Sequence, residues 1–335
     1  MPSIERATLV KIARDTAAQR LAARRSLISA YLTGSVAADE PMLGEATDID
    51  LIFIDSETPP AAREIVRLTD QVALDIQYRH KSEYANAKTL RVHPWRGPEI
   101  CAPFFLLDPT HFFELAQANV RGQFYRPDFV AARARAFAAQ AQDAVHAGLL
   151  PGQAGPEPVT VEAFCLSLLY AANALITLTA FPGAGRRLLL KLEAATQKLN
   201  RADLYTAFMA LLGEAELEAP QASALLQGWS AAYRAGQSAA DERVHPARRT
   251  LYERGFQAQI DADRAREMLW LMLYTWQALL KHLPSDSPHA DAWLGFLRHV
   301  QMGTPAEFTA RVEQARAYVI LAAEMVEDWA EQNGA

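Results

Sequence analysis

The spacing of hydrophobic residues changes after about the first 25 residues of the chain. Up to that point Ile4, Leu9 and Ile12 recur at helical intervals, which predicts a helix over residues 3–25 with Ser3 as its N-cap. Beyond it, short apolar runs bounded by turn residues predict strands. The predicted strands cover 26–32, 49–54, 72–78 and, at a sheet edge, 100–107.

The rest of the pattern predicts that the N-terminal part with the strands, called the head below, is followed by helices. The segment 60–70 predicts a short helix, and the proline-rich segment 80–108 predicts irregular chain around the edge strand. From Asp108 onward the pattern is helical and rich in alanine. The predicted helices cover 109–118, 127–148, 158–181, 185–213, 219–235, 247–282, 289–301 and 305–332. Strands followed by a run of helices are typical of an α+β chain, here with a head over 1–115 and an α-helical domain over 116–335.

Length, charge and cysteine usage limit the classes of function. A chain of 335 residues exceeds the usual single-domain size, which agrees with two domains. The formal net charge of -6 provides no overall cationic field, so nucleic acid and anionic membranes are disfavoured as partners. Cys101 and Cys165 lack metal-site spacing and are interpreted as reduced core thiols. No signal-like N-terminus is present and no apolar run approaches the ~20 residues of a membrane span, which predicts a cytoplasmic protein.

Three aspartates on the predicted strands are the first candidates for chemistry. Asp48 and Asp50 lie two residues apart, so a strand would direct both side chains to one face, and Asp75 lies on a later strand. Carboxylates at close range repel one another unless a cation neutralises them. Hard oxygen ligands are what Mg²⁺ prefers, and one or two such ions can clamp the oxygens of a phosphoryl transfer. These residues therefore predict a magnesium site.

Gly34 and Ser35 precede the aspartates and suit an anionic ligand. Glycine lets the backbone approach a phosphate closely, and the Ser35 hydroxyl with nearby amides can donate hydrogen bonds to it. We therefore expect this pair to bind the phosphates of a nucleotide.

These motifs resemble a known superfamily. The strings Leu32-Thr33-Gly34-Ser35, Thr47-Asp48-Ile49-Asp50-Leu51-Ile52 and Leu74-Asp75-Ile76 resemble the DNA polymerase β-type nucleotidyltransferases, most closely the kanamycin-type aminoglycoside nucleotidyltransferases. The resemblance covers about residues 26–80. It implies a small mixed sheet and Mg²⁺-dependent transfer of a nucleoside monophosphate from an NTP, with ATP as first choice, releasing pyrophosphate. The chain departs from the family pattern in two ways: Val36-Ala37 follows Ser35 where an Arg or Gly is frequent, and no Glu and Lys of the helical domain match the family's pair.

Two residues of the helical domain are further candidates, each with a structural alternative. Glu162 begins a predicted helix, where the helix dipole favours an acidic residue, but it could also act as the general base on an acceptor hydroxyl. Lys191 belongs to a cationic helix face that is either solvated or in contact with nucleotide phosphates. Asn173, in an apolar helix, needs a hydrogen-bond partner, and a structural partner is favoured over a ligand.

The leading hypothesis is an enzyme, a nucleotidyltransferase that uses an NTP and Mg²⁺ to modify a hydroxyl group. A small-molecule acceptor is favoured, and modification of a protein hydroxyl, as in toxin-type relatives, is the alternative within the enzyme class. The rival from another class is a non-catalytic nucleotide-binding or regulatory protein of the same fold. Association into a homodimer stays open for either.

Overall fold

The chain forms two compact units, Met1–Phe129 and Val130–Ala335. The computed structural model describes residues 4–40, 42–59, 61–148, 155–213, 216–284 and 287–335. The predicted N-cap Ser3 lies outside them. The first unit carries the sheet and the second is helical, so the chain is α+β, as the order of the patterns predicts.

One mixed sheet organises the first unit. Within the described residues it contains β1 (Leu27–Thr33), β2 (Thr47–Asp55), β3 (Arg63–Arg67), β4 (Val72–His80) and β5 (Phe104–Leu107). The order across the sheet is β3-β4-β2-β1-β5. β2 and β4 are parallel, and the other neighbouring strands are antiparallel. All four predicted strands are confirmed, with ends shifted by a few residues.

The segment predicted as a helix over 60–70 is instead the edge strand β3. It pairs antiparallel with β4, and a turn joins the two strands, where the Thr69 hydroxyl accepts a hydrogen bond from Val72 N–H at 3.0 Å. The helix prediction was wrong because all five residues of Arg63–Arg67 pair with β4, and strand pairing outweighs local helix propensity. The adjacent β-branched residues Ile65 and Val66 also favour a strand.

The segment predicted as irregular over 80–108 contains two short helices, α3 (Ala87–Val92) and α4 (Arg96–Cys101), before β5. The Asn86 side chain caps α3, because its Oδ1 accepts hydrogen bonds from the backbone N–H groups of Lys88 and Thr89, each at 3.1 Å. The prolines that suggested loop therefore lie at helix starts and connections, which proline tolerates.

The first helix, α1 (Arg6–Ala23), covers one face of the sheet. Its residues Leu9, Val10 and Ala13 join Leu51 of β2 and Leu74 of β4 in one buried apolar cluster. The predicted helix over 3–25 is confirmed with shorter ends. This packing assigns the alternate, carboxylate-bearing positions of β2 and β4 to the opposite face of the sheet.

The opposite face is covered in part by α5 (Phe112–Arg121). The Phe113 ring stacks on the Tyr31 ring of β1, with centroids 4.1 Å apart. The Tyr31 hydroxyl donates to Glu99 Oε1 at 2.7 Å, and burial, together with the nearby Glu99 charge, raises the pKa of Tyr31 well above its ordinary value. Because α5 packs on the sheet, the first unit extends beyond the predicted boundary after residue 115.

The remaining helices of the described chain follow the predicted pattern closely, with two exceptions. They are α6 (Pro127–Gly148), α7 (Pro158–Thr177), α8 (Leu188–Lys198), α9 (Ala202–Ala210), α10 (Ala219–Gly236), α11 (Arg249–Asp261), α12 (Met268–Leu280), α13 (His289–His299) and α14 (Pro305–Asn333). The helices predicted over 185–213 and 247–282 are each divided. Asn200 and Asp263 adopt the left-handed conformation between their halves, with φ of 55° and 57°. Asn and Asp tolerate this conformation better than most residues, so they end helices without a glycine or proline.

The apolar helix α7 corrects one expectation from the sequence. By length and composition it is the one helix of the described residues that could cross a membrane, although the sequence was expected to contain no such run. However, 78% of its most apolar 18-residue window is buried inside the protein. Its residues Phe164, Cys165 and Leu168 belong to the core of the helical unit, as a central helix of a folded domain requires. Cys101 and Cys165 are both buried and not disulfide-bonded, which confirms the interpretation as core thiols.

Candidate metal centre

Three aspartates meet on the face of the sheet opposite α1. Asp48 and Asp50 are two residues apart on β2, so both side chains leave the same face. The parallel register places Asp50 directly opposite Asp75 on β4. Each aspartate contributes one carboxylate oxygen to a group of three, and these three oxygens all lie within 4.8 Å of one another. The structure therefore brings together the three carboxylates that the sequence pattern predicts to converge.

The three carboxylates differ in exposure. Asp75 is 1% exposed, whereas Asp48 and Asp50 are half-buried. Asp75 therefore forms the floor of the cluster, and Asp48 and Asp50 connect it to solvent. A buried carboxylate needs a positive partner, because an isolated ionised group in a protein interior costs several kcal/mol.

The carboxylates fit the requirements of Mg²⁺. Oxygen ligands lie about 2.0–2.1 Å from this ion in octahedral geometry, so two of its ligands are at most ~4.2 Å apart. Oxygens that already lie within 4.8 Å of one another reach that spacing by small side-chain rotations. The donor set consists entirely of hard, anionic oxygens, which suits Mg²⁺ or Mn²⁺ better than Zn²⁺.

Gly34 is required beside Asp50 for two separate reasons. Its φ is +69°, in the left-handed region that side chains other than glycine rarely adopt. A Cβ atom at this position would also lie 2.8 Å from Asp50 Cγ and nearer still to Asp50 Oδ2. The Gly34 backbone therefore packs directly against the Asp50 carboxylate, as expected for a glycine that admits a close approach.

Ser35 follows in the short helix α2 (Gly34–Ala37) and is half-buried. Its hydroxyl lies 3.5 Å from that of Thr47, the residue before Asp48. Arg6 of α1 holds the end of α2, donating from Nε to Val36 O at 2.8 Å. The predicted phosphate-binding pair is thus adjacent to the carboxylates and held by the rest of the unit, while its role stays a prediction.

Arg63 is the residue of this site that sequence reasoning missed. Its Nε and Nη2 donate to the two oxygens of Asp75 at 2.7 and 2.6 Å, a bidentate ion pair. The residue was overlooked because its segment was predicted as a helix, where it would not face Asp75. The adjacent β-branched residues Ile65 and Val66 were the signal that could have placed this segment on a strand.

Glu162, the candidate general base, lies in α7 of the helical unit and binds two cations there. One of its oxygens accepts from Arg243 Nη1 and the other from Lys281 Nζ. Arg243 also donates to Asp241, and these hydrogen bonds and charges raise the pKa of Arg243 above its ordinary value. The ion pairs give Glu162 a structural role in the helical unit, and its catalytic role stays a prediction.

Lys191, the candidate phosphate ligand, lies in α8 and contacts the connection that precedes it. Its Nζ donates to Pro182 O at 3.4 Å, and its side chain packs against Gly183. The helix predicted from residue 185 starts later than expected, because Gly185–Arg187 forms a 3₁₀ turn ahead of α8. Contact of Lys191 with a nucleotide stays a prediction.

Asn173 has the structural role that the sequence favours. It is fully buried in α7, and its amide donates to Gly183 O at 2.9 Å while its Oδ1 accepts from Gly183 N–H at 2.7 Å. The side chain thereby ties the connection after α7 to the C-terminal part of that helix. The favoured interpretation of Asn173 is confirmed.

Replacing Asn173 with alanine should lower the free energy of unfolding of the helical unit by roughly 2–3 kcal/mol. The change leaves the Gly183 N–H and C=O groups buried without this partner. Urea unfolding followed by circular dichroism measures the effect. Asn333→Ala is the matched control, because the exposed Asn333 amide also donates to a carbonyl one turn back, Trp329 O at 2.8 Å. Equal stability of the two variants would contradict the assignment.

Comparison with known proteins adds no assignment: no model of a known protein family matches the chain, and no curated protein matches it.

Proposed function

We propose that the chain is a Mg²⁺-dependent nucleotidyltransferase that transfers a nucleoside monophosphate from an NTP to a hydroxyl group, with a small molecule as the favoured acceptor. The observation that carries the proposal is the convergence of the Asp48, Asp50 and Asp75 oxygens within 4.8 Å on one sheet face. Gly34, packed against Asp50, supports it by placing exposed backbone and the Ser35 hydroxyl beside the carboxylates. ATP is the first choice of NTP, as the family resemblance implies.

The proposed reaction is an in-line displacement at the α-phosphorus of the NTP. The acceptor oxygen forms a bond to that phosphorus, while the bond to the bridging oxygen of the β-phosphate breaks and pyrophosphate leaves with the electron pair. The acceptor proton passes to a general base, for which Glu162 is the candidate from the sequence. Asp48, Asp50 and Asp75 would hold one or two Mg²⁺ ions, which would neutralise charge on the attacking and leaving oxygens.

In this proposal each residue of the head has a separate task. Asp48 and Asp50 present half-buried oxygens to the cation, and Asp75 completes the donor set from the floor of the cluster. Gly34 leaves room for the Asp50 carboxylate, and Ser35 supplies a hydroxyl donor for a phosphate oxygen. Lys191 is the candidate from the sequence for a further phosphate contact.

The rival is a nucleotide-binding or regulatory protein that does not catalyse transfer. The observation that favours it is the Arg63–Asp75 ion pair, through which the protein itself supplies a positive charge to the carboxylates. The two functions differ in turnover. Only the enzyme releases pyrophosphate when it is given an NTP, Mg²⁺ and a panel of hydroxyl acceptors that includes both small molecules and proteins.

Replacing Asp48 with asparagine should remove Mg²⁺-dependent nucleotide binding, because it takes one anionic oxygen from the donor set. Calorimetry with a non-hydrolysable ATP analogue, with and without Mg²⁺, measures this, and we expect affinity to fall at least about tenfold, or ~1.4 kcal/mol. Asp15→Asn is the control: Asp15 is exposed on α1, the helix that covers the other face of the sheet, and pairs with Lys11. Wild-type protein that binds the analogue equally well without Mg²⁺ would contradict the proposed site.

A further inference from the structure

The ion pair between Arg63 and Asp75 occupies the buried member of the carboxylate cluster. Two parallel hydrogen bonds, at 2.7 and 2.6 Å, use one donor for each Asp75 oxygen. Asp75 is 1% exposed, whereas the Arg63 side chain is 27% exposed. The carboxylate is therefore fixed in the protein, while the guanidinium lies at the margin of the cluster, next to solvent.

This placement follows from strand pairing. Arg63 lies opposite Gln77, and Asp75 lies opposite Ile65, so Arg63 reaches Asp75 diagonally across the β3–β4 pair. β3 is an edge strand, which gives the long side chain a path to solvent when it leaves Asp75.

The same Asp75 oxygens belong to the set that can hold a metal ion. Asp75 contributes an oxygen within 4.8 Å of the Asp48 and Asp50 oxygens, and each Asp75 oxygen accepts a hydrogen bond from Arg63. A guanidinium and a divalent cation are both positive, and both take up lone pairs of the carboxylate. Because the two cations repel each other, each weakens the hold of the other on Asp75.

We infer that Arg63 is a positioning residue, an internal counter-cation that holds Asp75 aimed at the cluster and yields an oxygen of Asp75 when a divalent cation binds. This inference rests on the proposed metal site. It gives each Asp75 oxygen a positive neighbour that belongs to the protein itself. It also predicts that the protein's affinity for a divalent cation alone is held down by its own arginine.

The test is the affinity for Mn²⁺ alone, measured by electron paramagnetic resonance at pH 8 on the full chain. Arg63→Gln removes the competing charge, so Mn²⁺ should bind about tenfold more tightly or more, the order expected when a unit charge beside a divalent cation is removed under water-like screening. Arg67→Gln is the matched control. Arg67 lies on the same strand and face but pairs with the exposed Asp70, so its variant should bind Mn²⁺ as wild type does.

Arg63→Lys is a second variant, which keeps the inference testable if Arg63→Gln fails to fold. Lysine keeps the charge but replaces the two-pronged donor with a single ammonium group, so we expect Mn²⁺ affinity between those of wild type and Arg63→Gln. A purely structural arginine would instead leave Mn²⁺ affinity unchanged or weaken it in each folded variant, and that result overturns the inference. Failure of the metal site itself gives a different result. Wild-type protein would then either bind no Mn²⁺ or bind Mn²⁺ with an affinity that Asp50→Asn leaves unchanged.

Discussion

Replacing Asp50 with asparagine should reduce Mg²⁺-dependent nucleotidyl transfer by about 10³-fold, or ~4 kcal/mol of transition-state stabilisation, while the fold survives. Asparagine has nearly the same shape, so it fits the space beside Gly34 that the carboxylate fills. It lacks the negative charge, however, and Asp50 lies between Asp48 on its own strand and Asp75 directly opposite. The variant should therefore lose much of the attraction for the cation.

The melting temperature of the metal-free Asp50→Asn variant should stay the same or rise. Removing one of three neighbouring negative charges relieves repulsion, an effect of the order of 1 kcal/mol for a pair of charges close together near solvent. Pyrophosphate release and thermal unfolding, measured on the same preparation, test both expectations. Asp70→Asn, at an exposed turn, is the control and should change neither. A sharply lower melting temperature with turnover intact would make Asp50 a structural carboxylate and would contradict the proposed function.

The strands that carry the aspartates could be predicted because their signals are local. Ile49 and Leu51 alternate with Asp48 and Asp50. This alternation predicts a strand and predicts that the two aspartates share the face opposite the apolar residues. The residue type at position 34 indicates that a close approach to the backbone is needed there. The group that approaches is the Asp50 carboxylate, which the pairing of β1 with β2 places beside Gly34. Local pattern thus identified the residues of the cluster, and strand register explains why they meet.

The parts that were missed depend on contacts between distant residues or on turn chemistry. Arg63 faces Asp75 only because β3 pairs with β4, and the sequence of residues 60–70 was predicted as a helix without that pairing. Asn200 and Asp263 end helices by adopting a left-handed conformation, and neither is a glycine or a proline, the residues from which helix ends are usually predicted. The two cations on Glu162 are 81 and 119 residues away in the chain, so no local spacing could have identified them.

Replacing Gly34 with alanine should weaken Mn²⁺ binding strongly and destabilise the first unit. The left-handed backbone alone costs an alanine about 1–2 kcal/mol. In addition, the new Cβ would lie 2.8 Å from Asp50 Cγ and closer to Oδ2, a separation that real Cβ atoms essentially never show. The Asp50 carboxylate must therefore turn away from its present position, and we expect Mn²⁺ affinity to fall about 100-fold or more, or ~2.7 kcal/mol.

Gly185→Ala separates the two causes. Gly185 has a φ of +51°, also left-handed, but a Cβ there would meet no atom within 4 Å. It should therefore show the backbone cost alone, a loss of about 1–2 kcal/mol in the helical unit with Mn²⁺ affinity unchanged. The Gly34 variant should show the backbone cost together with the loss of Mn²⁺ affinity. If Gly34→Ala instead binds Mn²⁺ as wild type does, the Asp50 carboxylate has adapted without leaving the site, and the close approach of Gly34 is dispensable for the metal centre.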